Sequence, residues 1–112
     1  LAGKNLKYEE DIISPVKMGV ITLGGNIELD GFDSVEPGAL VVVKKIVGNY
    51  AKQMSGKKSN FEKLTVSLSS SVDNFTVKAT LKAGEAFVAE GHGTNMFFAM
   101  DQSLKKILGD IS

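Results

Sequence analysis

Cysteine is absent from this chain. Disulfide scaffolds, thiolate metal sites and cysteine nucleophiles are therefore excluded. Arginine is absent as well, since all 13 basic residues are lysine. That removes the planar fork that grips phosphate or a base edge bidentately and leaves only point charges for recognising an anion. Histidine occurs once, as His92. No apolar run approaches the roughly 20 residues that cross a bilayer. The opening LAGKNLKYEEDI lacks the apolar core of a signal peptide, so a cytoplasmic protein without membrane contact is expected.

What remains is the profile of one globular domain. The 112 residues are 43% hydrophobic and 23% charged, enough to bury a single core. Thirteen acidic residues balance the lysines, but the charges are segregated. Residues 18–36 contain Glu28, Asp30, Asp33 and Glu36 with no lysine, a net charge of −4. Residues 37–63 contain Lys44, Lys45, Lys52, Lys57, Lys58 and Lys63 against Glu62 alone, a net charge of +5. A stretch of this kind steers a polyanion, or it is the solvated face of a helix.

Periodicity orders the elements. Val20, Ile21 and Leu23 read as a short strand over residues 19–23, extended to Leu29 past a bulge at Gly24-Gly25. Pro37 suits a helix start, and Leu40, Val43, Val47, Tyr50 and Met54 mark one helical face that Gly56 is expected to end. Strict alternation follows. Leu64, Val66 and Leu68 point inward in one strand, and Phe75, Val77, Ala79 and Leu81 in the next, while Thr76, Lys78 and Thr80 point out. AFVAE makes a third strand of this meander, and Gly91-His92-Gly93 a loop that ends it. Asn95 is placed to cap a second helix with an apolar stripe of Phe97, Met100, Leu104, Ile107, Leu108 and Ile111, and with Gln102, Lys105 and Lys106 away from it.

The order β-α-β-β-β-α predicts an α+β two-layer sandwich: four strands, with two helices packed on one face and a right-handed crossover after the first strand. Leu64, Val66, Leu68, Val77, Leu81, Phe97, Met100 and Leu104 are the expected core. Residues 1–17 stand outside this scheme as an extension or tail, and residues 18–112 form the domain.

An enzyme is not expected. His92 has neither a second histidine nor a cysteine with which to hold a metal. The serines cluster at residues 67–71, away from it, so no nucleophile pair suggests itself. Gly24-Gly25 and Gly91-x-Gly93 are too short for a nucleotide fingerprint and read as turns. No catalytic residue, metal, cofactor or small-molecule substrate is predicted.

The run FTVKATLKAGEAFVAEGHGTNMFFAMDQSLKKIL, residues 75–108, resembles the end of the ribosome hibernation-promoting factor family. Gly93, Asn95, Met96, Phe97, Ala99, Met100 and Asp101 fall on that family's motif, with Asn95 in place of its aspartate, and Lys106 falls on its helix lysine. Upstream, Asn26-Ile27-Glu28-Leu29 is similar to the family's sequence before its first helix. The resemblance implies binding to the small ribosomal subunit, in the channel used by messenger and transfer RNA, with translation blocked under stress. By placement, the RNA contacts it implies are Lys44, Lys45 and Lys52 on the first helix, Lys57 and Lys58 after it, and Lys105 and Lys106 on the second. The neutral overall charge keeps another reading open, that of a protein-interaction or oligomerisation module reusing the fold without RNA.

Overall fold

The computed structural model describes residues 20–24, 26–33 and 35–111. The extension expected over residues 1–17 lies outside them, as do the first residue of the predicted strand, Gly19, and the second glycine of the break, Gly25. Within them are β1 (Val20–Leu23), β2 (Ile27–Asp30), α1 (Pro37–Lys57), β3 (Lys63–Ser70), β4 (Phe75–Ala83), β5 (Glu85–Gly93) and α2 (Met96–Asp110). The strands form one sheet in sequential order, antiparallel throughout except where β2 and β3 run parallel across the α1 crossover.

The sheet has five strands where four were predicted. Gly24, at φ 63°, turns the chain back on itself instead of kinking it, and Leu23 pairs with Ile27 across a three-residue hairpin loop. What read as one bulged strand is two, and the second of them enters the crossover. The inward alternation survives the reversal. Leu23, Ile27, Leu64, Leu81 and Phe87 align across all five strands, and Ile21, Leu29, Val66, Ala79 and Ala89 form the next row. Thr76, Lys78 and Thr80 point to the other face, away from both helices, so the predicted register holds.

Both helices cover the inner face and share a single core, in which Leu64, Val66, Val77, Leu81, Met100 and Leu104 are fully buried as expected. Leu68 and Phe97 are only half-buried and pack against its margin. The side chains of β5 shrink along its inner face, from Phe87 through Ala89 to Gly91 and Gly93. That taper lets α2 settle onto the sheet directly after the short turn that follows β5. The Asn95 side chain accepts from the Phe97 and Phe98 amides at 2.8 and 3.2 Å, satisfying two N–H groups at the helix start.

Helix α1 passes through Gly56 and ends one residue later, beyond its predicted stop. Gly56 is exposed and lies in a right-handed turn, and the Lys58 amide donates to the Met54 carbonyl at 2.9 Å, closing the last turn without a left-handed cap.

The helices are joined by a polar contact in which the Tyr50 hydroxyl donates to Asp101 Oδ1. Burial, the hydrogen bond and the Asp101 charge all disfavour the phenolate and push the Tyr50 pKa up to about 12 from 10.0. Because the folded pKa is raised, the protonated phenol is the form the fold favours. Its contribution is full below about pH 10 and lost as pH rises toward 12. Tyr50→Phe is expected to cost about 1 kcal/mol near neutral pH. In parallel melts from pH 8 to 12, the gap between wild type and variant should close across the top two units. A gap that stays constant to pH 12 would show that the hydroxyl contributes nothing through its protonation.

Candidate RNA-contacting surface on the helices

Helix α1 buries Val43, Val47, Ala51 and Met54, and these residues determine which side chains face water. Lys44, Lys45, Lys52 and Lys57 are exposed, and the helix contains no aspartate or glutamate. No i,i+4 ion pair within the helix can therefore neutralise them. Lys45 and Lys52 are two turns apart on the same outward side, and Lys44 lies about 100° round from Lys45. Among the described residues, none of these four lysines has an ion-pair partner. The outward side also carries Val41 and Val42, two of the exposed large apolar residues.

The other three candidate lysines are engaged within the fold. Lys58 is half-buried, with its Nζ 5.4 Å from the centroid of the Phe87 ring, a cation–π contact that covers the end of the core. Lys105 pairs with Asp101 one turn earlier at 3.3 Å, the lysine largely exposed and the aspartate half-buried. Lys106 Nζ donates to the Glu90 carbonyl at 2.8 Å, and Gln102 Oε1 accepts from the His92 amide at 2.9 Å. Those two backbone groups are not bonded to β4. They are the free edge of β5, and α2 covers it with Gln102 and with Lys106, which the resemblance implied as an RNA contact. An edge strand left open is a template for pairing with another chain, so Gln102 and Lys106 shield the sheet. The seven candidate residues thus divide into a cationic row on α1 and three lysines whose first partners are in the protein itself.

His92 also departs from expectation. It is a strand residue, paired with Thr76, and so neither a loop residue nor isolated. Its Nδ1 is 3.1 Å from Thr76 Oγ1, and its Nε2 is 3.5 Å from Glu90 Oε1. Periodicity gave no sign of these neighbours, because the Thr76 contact crosses between strands and the Glu90 contact needs His92 to continue the strand. A hydroxyl, an imidazole and a carboxylate in a row resemble a nucleophile with its base. A working triad, however, needs shelter from water and donors aimed at a developing oxyanion. These side chains stand half-exposed on the open outer face of the sheet. Among the described residues, no group of three or more histidine, aspartate or glutamate side chains is arranged to hold a metal ion. His92→Ala is expected to shift stability by less than about 0.5 kcal/mol, as exposed polar pairs generally do. A denaturant midpoint displaced well beyond that would assign the row a structural role.

These features define a class: an α+β domain with a five-stranded mixed sheet, one open polar face, and a helical layer whose first helix is uniformly basic. The fold is similar to that of a ribosomal subunit interface protein from Coxiella burnetii, with a TM-score of 0.53 over 77% of this chain and 90% of that one. Sequence identity between the two is 10%, so the likeness is one of fold. No family model matches the chain, and no curated protein matches it in sequence. Among the described residues, no helix is long and apolar enough to cross a membrane.

Proposed function

We propose that this protein binds the ribosome in the manner of hibernation factors, contacting RNA of the small subunit through the lysines of α1 and restraining translation while bound. It acts by binding, without catalysis or cofactor, and works in the cytoplasm where ribosomes are. One observation carries the reading: α1 presents Lys44, Lys45, Lys52 and Lys57 to solvent with no acidic residue along its length. A solvated helix that needed only solubility would be expected to mix both signs along its face. The fold likeness to a ribosomal subunit interface protein and the resemblance of residues 93–101 to the hibernation-factor motif support the same reading. Lysine–phosphate contacts release counterions, so binding should weaken steeply with salt. The test is co-sedimentation with purified small subunits at low and high salt. Absence of the protein from the ribosomal pellet at low salt would overturn the proposal.

A second reading has its own observation. Residues 31–36 lead from the end of β2 into α1, at the same end of the sheet as the β3–β4 hairpin. That end carries Asp30, Asp33, Glu36 and Asp73, with Val72 exposed on the β3–β4 hairpin. An acidic end with an exposed apolar side chain suits a basic protein segment and repels phosphate. If the protein pellets with ribosomes and salt does not release it, that end is the contact and the partner is a ribosomal protein.

A further inference from the structure

Phe98 is the most exposed aromatic side chain of the described core elements, 59% accessible on the first turn of α2. Its placement is not accidental looseness. A Cβ on Gly93 would lie 2.9 Å from Phe98 Cδ2 and 3.6 Å from Cε2, so the ring rests against the bare Cα of that glycine. One side of the ring is held by backbone and another is left to water. Phe98 is not among the positions of residues 93–101 that match the hibernation-factor motif, whose small residue falls on Ala99.

The same strip of α2 carries two further groups. Gln102, one turn on, accepts the His92 amide through Oε1 at 2.9 Å. That bond occupies the amide oxygen and leaves the NH2 group as a donor without a partner among the described residues. Lys105 follows at seven residues from Phe98, about 10 Å along the axis, with its side chain 69% exposed. It is tied to Asp101 only by a solvent-accessible pair at 3.3 Å, which a phosphate can displace. Asp101 itself is held on the α1 side by Tyr50.

We propose that Phe98, Gln102 and Lys105 form a subsite for one unpaired nucleotide of single-stranded RNA. The base stacks on the open side of the Phe98 ring, an acceptor on its edge takes the Gln102 amide, and the adjacent phosphate meets Lys105. An aromatic platform, an amide donor and a cation in a line about one nucleotide long match what unstacked bases use, and duplex RNA hides its bases from such a platform. The subsite rests on the RNA-binding reading above and adds to it a preference for single strands.

Fluorescence anisotropy with a labelled 12-nucleotide oligouridine and a labelled 12-base-pair RNA duplex tests it. Phe98→Ala is expected to weaken the single strand about tenfold and leave the duplex unchanged. Phe98→Tyr should retain wild-type affinity. Stacking releases no counterions, so the salt slope of Phe98→Ala should equal that of wild type, whereas Lys105→Ala should lower the single-strand slope by about 0.7. Because Phe98 is largely exposed, unchanged melting temperatures would confirm that both Phe98 variants are folded. If Phe98→Ala binds both RNAs as wild type does, the subsite is overturned, the lysine-based reading survives, and Phe98 is assigned to a protein contact. If wild type binds neither RNA at low salt, subsite and RNA reading fall together.

Discussion

Replacing Lys44, Lys45 and Lys52 together with glutamate is expected to weaken association with the small subunit by about two orders of magnitude and to lower its salt slope by about three. The three residues share the exposed sides of α1 and are not engaged in ion pairs among the described residues, so their charge is available to a partner. Each replacement removes one phosphate contact and places a negative charge where a positive one stood. At surface dielectric constants no single contact dominates, which is why the effect should build across the three instead of residing in one. The variant should remain folded, because all three positions face water and glutamate is a good helix former. Lys106→Ala is the instructive contrast. That ammonium is held to the β5 edge by the neutral Glu90 carbonyl, so its loss should change the salt slope by at most one contact, about a third of the change in the triple variant. Wild-type co-sedimentation by the triple variant would remove α1 from the interface.

Gly91→Ala should destabilise the protein by about 3 kcal/mol, the upper part of the range for forcing extra volume into a packed interior. A Cβ at Gly91 would lie 2.0 Å from the Ala99 carbonyl oxygen, 2.9 Å from the Ala99 carbonyl carbon and 2.9 Å from the Ser103 amide nitrogen. All three are backbone atoms of α2, so no rotamer change can relieve the contact. The helix itself would have to lift from β5, loosening Met100 and Leu104 from the core and pulling Gln102 and Lys106 from the strand edge. Gly48→Ala makes the same chemical change in the middle of α1, where a Cβ meets nothing within 4 Å. There the helix preference of alanine should act alone and stabilise by roughly 1 kcal/mol. Urea midpoints moving in opposite directions for the two variants would confirm both placements. A Gly91→Ala protein as stable as wild type would mean that α2 does not lie against β5.

What could be read directly from the residues was whatever depends on near neighbours in the chain. Alternation in FTVKATLK assigned the inner and outer faces of β4, and the pairings of Val77 with Leu68 and of Thr76 with Ser69 kept those faces together. The helical stripe from Val43 to Met54 and the cap at Asn95 were legible for the same reason, since a turn of helix and a capping bond each span only a few residues. The basic character of α1 was likewise visible, because it is a property of composition within one element.

Periodicity says which face a residue shows, and it does not say what lies opposite. Gly24 in a strand pattern is consistent with a bulge or with a reversal. Only the pairing of Leu23 with Ile27 decided for the hairpin and so for a fifth strand. Gly91 looked like a turn residue, and only the path of α2 across the sheet showed that it makes room for a helix. The standing of the lysines was decided the same way. Lys44, Lys45 and Lys52 are left to solvent, whereas Lys58 meets Phe87 and Lys106 meets Glu90, 29 and 16 residues away in the chain. In sequence these are five similar charges. Tertiary packing separates them, because a side chain is committed or available according to what the fold brings within about 3 Å of its ammonium, or over an aromatic ring near it, and those groups come from distant parts of the chain.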